Sequence, residues 1–179
     1  MHKDIERILI SEEQIRDKVA EFGRILSEEY ADKNPIFVGV LKGVVMFFAD
    51  VVKQITIPCQ IDFMWISSYG SGTTSGQLMV KRDVNEDIKG RHVVILEDIF
   101  DSGTSLDFVY RHLMSKEPAS LKIVTLLDKP ERRKPEITLQ PDYTGYVIPN
   151  EFVVGYGLDY QEYYRNLPYV GVLKPETYQ

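Results

Sequence analysis

The sequence predicts an α/β fold, with a doubly wound, mainly parallel sheet flanked by helices. Short apolar runs of strand length alternate along the chain with segments whose apolar residues recur every three or four positions. Strand–helix alternation of this kind gives parallel strands joined by right-handed crossovers. Three predicted strands end in polar residues, at Lys42-Gly43, Glu97-Asp98 and Asp128-Lys129. Because ligands of open α/β sheets bind at the carboxyl ends of the strands, these residues are expected to converge on one crevice.

Length and composition restrict the class of protein. The 179 residues suit a single domain over 1–179, and 44% hydrophobic with 27% charged residues is typical of a soluble globular chain. The net charge of −6 argues against a nucleic-acid partner, which normally meets a basic face. With one cysteine, Cys59, no internal disulfide can form. No signal peptide or run of the ~20 apolar residues that span a bilayer is present, so we expect a cytoplasmic protein without a membrane partner.

The elements are predicted in turn from their periodicity and end signals. The first helix begins at a capping box, where Ser11 is followed three residues later by Gln14, and its apolar stripe continues to about Tyr30. Proline, glycine and asparagine mark several later boundaries. The predicted strands are 36–40, 59–66, 78–81, 93–96, 121–127 and 169–173, with short β-like pieces at 146–148 and 152–154, and the later helices are 44 to about 55 and about 106 to 116.

The remaining segments lack a regular pattern. Residues 1–10 and 140–179 are expected to form a small hood over the carboxyl edge of a core that covers about 11–140. Residues 67–78 are too rich in glycine, serine and threonine to pack, and we expect a mobile lid loop there.

The most informative stretch begins with the predicted strand at 93–96. Glu97 and Asp98 follow it, and a turn of small hydroxyl-bearing residues, Asp101 to Ser105, leads into a helix. Backbone N–H groups at a helix N-terminus favour an anion such as phosphate, and the carboxylates can hold sugar hydroxyls or Mg²⁺. The alternative is a turn whose Asp and Ser only cap the helix.

A second turn, at Lys42-Gly43, can also serve an anion. Glycine lets the backbone approach a ligand closely, and lysine adds positive charge. A solvent-exposed lysine in a tight turn explains the same two residues.

Taken in order, these motifs resemble the hypoxanthine (hypoxanthine-guanine) phosphoribosyltransferases of the bacterial type, within the type I phosphoribosyltransferase family. The resemblance extends from about residue 5 to residue 179. The motifs that carry it are Leu41-Lys42-Gly43, Ser68-Tyr69, Glu97 to Thr104, Asp128-Lys129-Pro130 and Phe152 to Tyr160.

The resemblance implies transfer of a 5-phosphoribosyl group from phosphoribosyl pyrophosphate to N9 of hypoxanthine or guanine, with Mg²⁺ as cofactor. The products would be IMP or GMP and pyrophosphate. Members of the family commonly form homodimers or homotetramers, and many have a cis peptide at the position of Leu41-Lys42. An arginine at the position of Arg133 is expected near the pyrophosphate.

The resemblance also implies a role for each matching residue. Asp101 would act as the general acid or base beside purine N7. The ligands of the ribose and 5′-phosphate would be Glu97, Asp98, Asp101, Ser102, Gly103, Thr104 and Ser105. The pyrophosphate ligands would be Leu41, Lys42, Gly43, Ser68, Tyr69 and Arg165. The purine ligands would be Lys129, Phe152, Val153 and Asp159, and the metal ligands would be Glu97, Asp98 and Asp159.

Each of these roles has a structural alternative. Phe152 and Val153 could be plain core residues, since Phe on a strand is usually buried. Lys129 could belong to a solvated charged turn. Asp159 and Arg165 could form a surface ion pair that contributes less than ~1 kcal/mol.

Two other functions stay open at this point. A phosphoribosyl pyrophosphate-sensing regulator would need a basic surface or an added nucleic-acid-binding module, and the chain has neither. The second open function is transfer of the phosphoribosyl group to a base other than hypoxanthine or guanine. Lys129 and the Phe152–Asp159 segment disfavour uracil and adenine, but leave xanthine possible.

Overall fold

The computed structural model describes residues 2–69 and 77–178. Its strands are β1 (Ile5–Ile10), β2 (Ile36–Leu41), β3 (Gln60–Tyr69), β4 (Gln77–Arg82), β5 (His92–Phe100), β6 (Ser120–Asp128), β7 (Tyr143–Val147), β8 (Val153–Val154) and β9 (Val170–Leu173). Its helices are α1 (Glu12–Glu29), α2 (Val45–Gln54), α3 (Thr104–Met114) and α4 (Pro175–Tyr178). Among the described residues, no helix is long and apolar enough to cross a bilayer.

The main sheet has six strands in the order β4-β3-β2-β5-β6-β7. Neighbouring strands are parallel except in the β3–β4 hairpin. The direction in which strands are added reverses between β2 and β5, which makes this pair the topological switch point of the sheet. The predicted doubly wound, mainly parallel sheet is confirmed.

Helices cover both faces of this sheet. Val94 and Leu96 of β5 pack with apolar residues of α1 and α2, whereas Val93 and Ile95 pack on the opposite face with α3. Residues 93–96 of this central parallel strand are therefore apolar at every position, and each such buried side chain contributes about 1.5–3 kcal/mol. The predicted capping box is present at the start of α1, where Gln14 N donates to Ser11 Oγ (3.2 Å) and Ser11 N donates to Gln14 Oε1 (2.8 Å).

The chain ends form a second sheet, which we call the hood sheet, with the strand order β1-β9-β8. Both pairs are antiparallel. The sequence predicted irregular ends, and it missed β1 and α4. β7 also differs from the prediction, because it lies beyond residue 140 but pairs with β6 in the main sheet.

Two strands, β3 and β5, extend three or more residues beyond their predicted carboxyl ends. β3 continues from Ile66 to Tyr69 because Ser67 and Ser68 pair with Met79 and Leu78 of β4. The expected lid of 67–78 therefore begins and ends in strand, and residues 70–76 lie outside the described residues. β5 continues to Phe100 through pairing with β6, so the acidic pair at 97–98 lies inside a strand.

Candidate active site

A cavity of about 640 Å³ lies at the carboxyl ends of β2, β5 and β6, against the segment from Asn150 to Arg165. Three separate strand ends therefore converge on one crevice, as the strand-end pattern predicted. The predicted site residues that line it are Lys42, Gly43, Asp98, Asp101, Lys129, Phe152, Val153, Asp159 and Arg165.

The turn after β2 meets the end of β5 at very short range. A Cβ atom built on Gly43 would lie 1.9 Å from Oδ2 of Asp98, so a larger residue at this position would displace the carboxylate or the turn. The preceding peptide, Leu41-Lys42, is cis, as the resemblance implied. The backbone at Lys42-Gly43 thus forms one wall of the cavity, directly beside a carboxylate.

Glu97 and Asp98 are carboxylates held in an environment that disfavours their charge. Burial, followed by repulsion from Asp98, raises the pKa of Glu97 well above its usual value. Burial also raises the pKa of Asp98 to about 6, although the N–H of Ile99, which donates to its Oδ1 at 3.0 Å, acts in the opposite direction. Oε2 of Glu97 is buried and accepts no hydrogen bond from the described residues. Such an oxygen is suited to a hydroxyl donor or a cation.

The turn between β5 and α3 follows this strand end directly, although its residues 102–105 do not line the cavity. Gly103 precedes the helix with φ 86, and no side chain among the described residues caps the first turn of α3. Ser102 Oγ and Thr104 Oγ1 lie 3.5 Å apart beside this turn. The alternative in which Asp and Ser only cap the helix is therefore wrong. An uncapped helix N-terminus is the kind of site that favours an anion.

Arg133 holds this turn in place through contacts with Asp101, Asp128 and Phe100. Its Nη1 donates to the carbonyl oxygen of Asp101 at 2.7 Å, its Nη2 pairs with the carboxylate of Asp128, and its guanidinium lies 3.0 Å from the ring centre of Phe100. The neighbouring Lys134 N donates to Ser102 O at 3.1 Å. Arg133 thus anchors the turn, and its place near the pyrophosphate stays a prediction.

Asp101 itself faces the cavity and is partly accessible. Its side chain is 42% exposed, and Oδ1 accepts a hydrogen bond from Arg132 Nε at 3.3 Å. A carboxylate in this position can reach a bound ligand while its backbone stays fixed by Arg133.

The opposite end of the cavity combines a buried lysine with an accessible aromatic ring. Lys129 is 6% exposed, and its Nζ donates to the carbonyl oxygen of Glu151 at 2.9 Å. Burial lowers the pKa of Lys129. Phe152 is 38% exposed and stacks on Tyr178 with ring centres 4.8 Å apart. Lys129 is therefore not a solvated turn residue and Phe152 is not core, whereas Val153 is buried as the structural alternative had it.

Asp159 and Arg165 form the expected ion pair, but on the cavity wall. Nη2 of Arg165 lies 2.8 Å from Oδ1 of Asp159, and Nη1 donates to the carbonyl oxygen of Gly157 at 2.7 Å. Oδ2 of Asp159 accepts a hydrogen bond from the backbone N of Glu162 at 2.8 Å. The guanidinium is thus fixed on the cavity wall beside two carboxylates, those of Asp159 and Glu162.

Comparison with known proteins decides the family. A family model described as the phosphoribosyl transferase domain matches residues 9–161. The chain belongs to the phosphoribosyltransferase family. This phosphoribosyltransferase is 52% identical over 179 residues to the hypoxanthine-guanine phosphoribosyltransferase of Streptococcus pneumoniae, a match that covers 99% of this chain and 98% of that protein.

Solved structures of related proteins share the fold of this phosphoribosyltransferase. A hypoxanthine phosphoribosyltransferase from Staphylococcus aureus superposes with a TM-score of 0.94 and 48% identity, covering 100% of this chain and 97% of that one. The Trypanosoma cruzi hypoxanthine phosphoribosyltransferase in complex with the product IMP gives a TM-score of 0.92 and 39% identity, with 99% of each chain covered. The chain also matches the bifunctional protein TilS/HprT of Listeria innocua, at 50% identity over 179 residues, where it covers 99% of its own length and spans only 27% of that protein.

Some predicted site residues of this phosphoribosyltransferase do not line the cavity. Glu97 is not among the lining residues, and Ser68 is exposed at the end of β3, just before the undescribed residues 70–76. The others that do not line it are Leu41 and the four residues Ser102, Gly103, Thr104 and Ser105 of the turn between β5 and α3, which we call the α3 turn. The side chain of Tyr69 lies outside the described part of the structure.

Sequence reasoning also missed residues that line the cavity. These are Ile99, Arg132, Asn150, Glu151, Leu158 and Tyr178. A longer prediction for β5 would have included Ile99 as a strand-end residue. Tyr178 gave no signal, because its position depends on the return of β9 to the hood sheet.

Proposed function

We propose that this chain transfers the 5-phosphoribosyl group of phosphoribosyl pyrophosphate to N9 of hypoxanthine and guanine, giving IMP or GMP and pyrophosphate. One observation carries the proposal. A single cavity is lined by three kinds of side chain. These are the cations Lys42 and Arg165, the carboxylates Asp98 and Asp101 at the end of β5, and the pair Lys129 and Phe152. The relatives at about half identity, which are named for this activity, support it.

The proposed reaction breaks the bond between ribose C1 and the pyrophosphate oxygen, and the electron pair leaves with the pyrophosphate. N9 of the purine then supplies the electron pair of the new bond to C1. Lys42 and Arg165 neutralise the growing negative charge of the leaving group, which is the largest electrostatic task in the site. Asp101 takes the proton that the purine loses at N7, at a carboxylate that faces the cavity.

The base is selected at the Lys129 end of the cavity. Nζ of Lys129 donates to purine O6, whereas adenine presents an amino donor at that position and is rejected. Phe152 stacks on the base, and the backbone of Val153 meets its edge. The bond from Lys129 to the carbonyl oxygen of Glu151 orients the ammonium before the base arrives.

The residues present fit Mg²⁺ as the cofactor, held mainly through the substrate. No group of three or more acidic, His or Cys side chains forms a metal cluster in the described part of the chain. Mg²⁺ commonly takes one or two carboxylates and completes its shell with substrate oxygens and water. We assign Glu97 and Asp98 to the ribose hydroxyls that chelate Mg²⁺, and Asp159 to a second ion near the pyrophosphate. When bound, Mg²⁺ neutralises charge on the diphosphate.

Several further parts of the proposal rest on the amino-acid sequence and on the family resemblance. They are a single domain over 1–179 with a core of about 11–140 and a hood from both ends, a lid over about 67–78 that includes Ser68 and Tyr69, a cytoplasmic location, and a homodimer or homotetramer.

One assay tests the proposed function. Pyrophosphate release is measured with Mg²⁺, phosphoribosyl pyrophosphate and each of hypoxanthine, guanine, xanthine and adenine. We expect release with hypoxanthine and guanine and none with adenine. Release with xanthine would widen the substrate class, and release with none of the oxopurines would contradict the proposal.

Replacing Lys129 by alanine is expected to raise the KM for hypoxanthine by about ten- to one-hundred-fold, the value of a hydrogen bond from a charged donor. The KM for phosphoribosyl pyrophosphate should change little, because Lys129 lies at the base end. Steady-state kinetics with each substrate varied separately checks this. Lys53→Ala, at an exposed lysine paired with Asp50 on α2, is the control. An effect confined to the phosphoribosyl donor would place the base elsewhere.

Replacing Gly43 by alanine is expected to weaken binding of phosphoribosyl pyrophosphate by about tenfold, since small displacements of a site can be costly. The new methyl group would lie 1.9 Å from Asp98 Oδ2, so the carboxylate or the Lys42-Gly43 turn must move. The KM values for the donor and for hypoxanthine separate this local effect from loss of folding. Equal increases in both would contradict it.

A further inference from the structure

Glu162 binds both cations that we assign to pyrophosphate. Its Oε2 lies 3.0 Å from Nζ of Lys42 and 3.2 Å from Nη2 of Arg165. A single carboxylate oxygen thus bridges the turn after β2 and the segment that closes the cavity.

The carboxylate of Glu162 is held at the surface, beside the cavity that Lys42 and Arg165 line. Its side chain is 63% exposed and does not line the cavity, so the pairs support no buried packing. Its backbone has φ 68, in the left-handed region that side chains other than glycine rarely adopt, and its N–H is tied to Asp159. Hydrogen bonds from Lys42 and then Arg165 lower the pKa of Glu162, so it is an anion at neutral pH.

We propose that Glu162 is a resident counter-anion, which occupies Lys42 and Arg165 until the diphosphate of the donor displaces it and which returns as pyrophosphate leaves. This inference rests on the proposed function, because it takes Lys42 and Arg165 as pyrophosphate ligands. A diphosphate bound to the same two cations would bring its own negative charge against the carboxylate, and like charges at this range repel. Glu162 therefore weakens the hold of the enzyme on pyrophosphate.

The test is the affinity of Glu162→Gln for inorganic pyrophosphate, measured by titration calorimetry with magnesium chloride present. Glutamine keeps the length and the hydrogen-bonding oxygen but removes the charge. Because two exposed ion pairs are lost, we expect the variant to bind pyrophosphate about three- to ten-fold more tightly than the wild type. The KM for phosphoribosyl pyrophosphate should fall in parallel, and the KM for hypoxanthine should stay the same.

Glu28→Gln is the matched control, since Glu28 is similarly exposed and pairs with Arg24 on the outer part of α1. It changes the net charge equally and should leave pyrophosphate affinity unchanged. Unchanged or weaker binding in Glu162→Gln would overturn the inference, and weaker binding would mean that Glu162 only positions the cations. The titration needs no turnover, so absence of nucleotide synthesis would count against the proposed function while the affinity ratio still decides the role of Glu162.

Discussion

Replacing Asp101 by asparagine is expected to lower turnover by about 10²- to 10⁴-fold, the usual range for loss of a general acid or base. Asparagine has nearly the same shape and keeps an oxygen for the hydrogen bond from Arg132 Nε, which is 3.3 Å away in the wild type. It cannot accept the proton that the purine loses. The binding of phosphoribosyl pyrophosphate should change much less, because the backbone of the turn is held by Arg133.

Single-turnover kinetics with hypoxanthine, together with direct titration of the donor, measure the two effects separately. Asp17→Asn removes the same charge from an exposed pair with Arg16 on α1 and should behave as the wild type. Wild-type turnover in Asp101→Asn would remove this carboxylate from the chemistry. A large loss of donor affinity with normal turnover would make it a phosphate ligand instead.

Apolar periodicity predicted the existence and order of the main-sheet strands better than their ends. For β5 it marked 93–96, where both faces are buried, and stopped at the first acidic residue. The strand continues to Phe100 because β6 supplies hydrogen-bonding partners for residues 97, 99 and 100. The tertiary structure decides which strand lies alongside. The apolar pattern of one segment therefore cannot predict how many of its residues pair with a neighbouring strand.

The candidate site was predictable where it follows from topology. Lys42, Asp98 and Lys129 line one cavity because parallel strands end at the same edge of a sheet. Glu162 and Arg133 were not predictable in this way. Glu162 reaches the cations through a left-handed backbone conformation. Arg133 contacts the turn between β5 and α3 because the segment after β6 lies against that turn.

Replacing Arg133 by methionine is expected to lower the free energy of unfolding by about 3–5 kcal/mol, the cost of breaking a buried ion pair at one partner. The side chains of Arg133 and Asp128 are only 11% and 13% exposed, so the carboxylate of Asp128 would be left buried without its counter-ion. Methionine keeps most of the apolar contact with Phe100, which limits the loss to charge and hydrogen bonds. Urea denaturation followed by circular dichroism measures the change, and a loss below about 1 kcal/mol would fit only an exposed pair and contradict this assignment.

The double variant Arg133→Met with Asp128→Asn separates the two tasks of this arginine. Removing the orphaned charge should restore much of the stability, because a neutral amide is less costly to bury than a carboxylate. It should not restore donor affinity, since the hydrogen bond to the carbonyl oxygen of Asp101 is still absent. A double variant that recovers both stability and the KM for phosphoribosyl pyrophosphate would show that Arg133 serves the fold alone. Recovery of stability without recovery of KM would mean that the same side chain stabilises the fold and holds the α3 turn in its binding geometry.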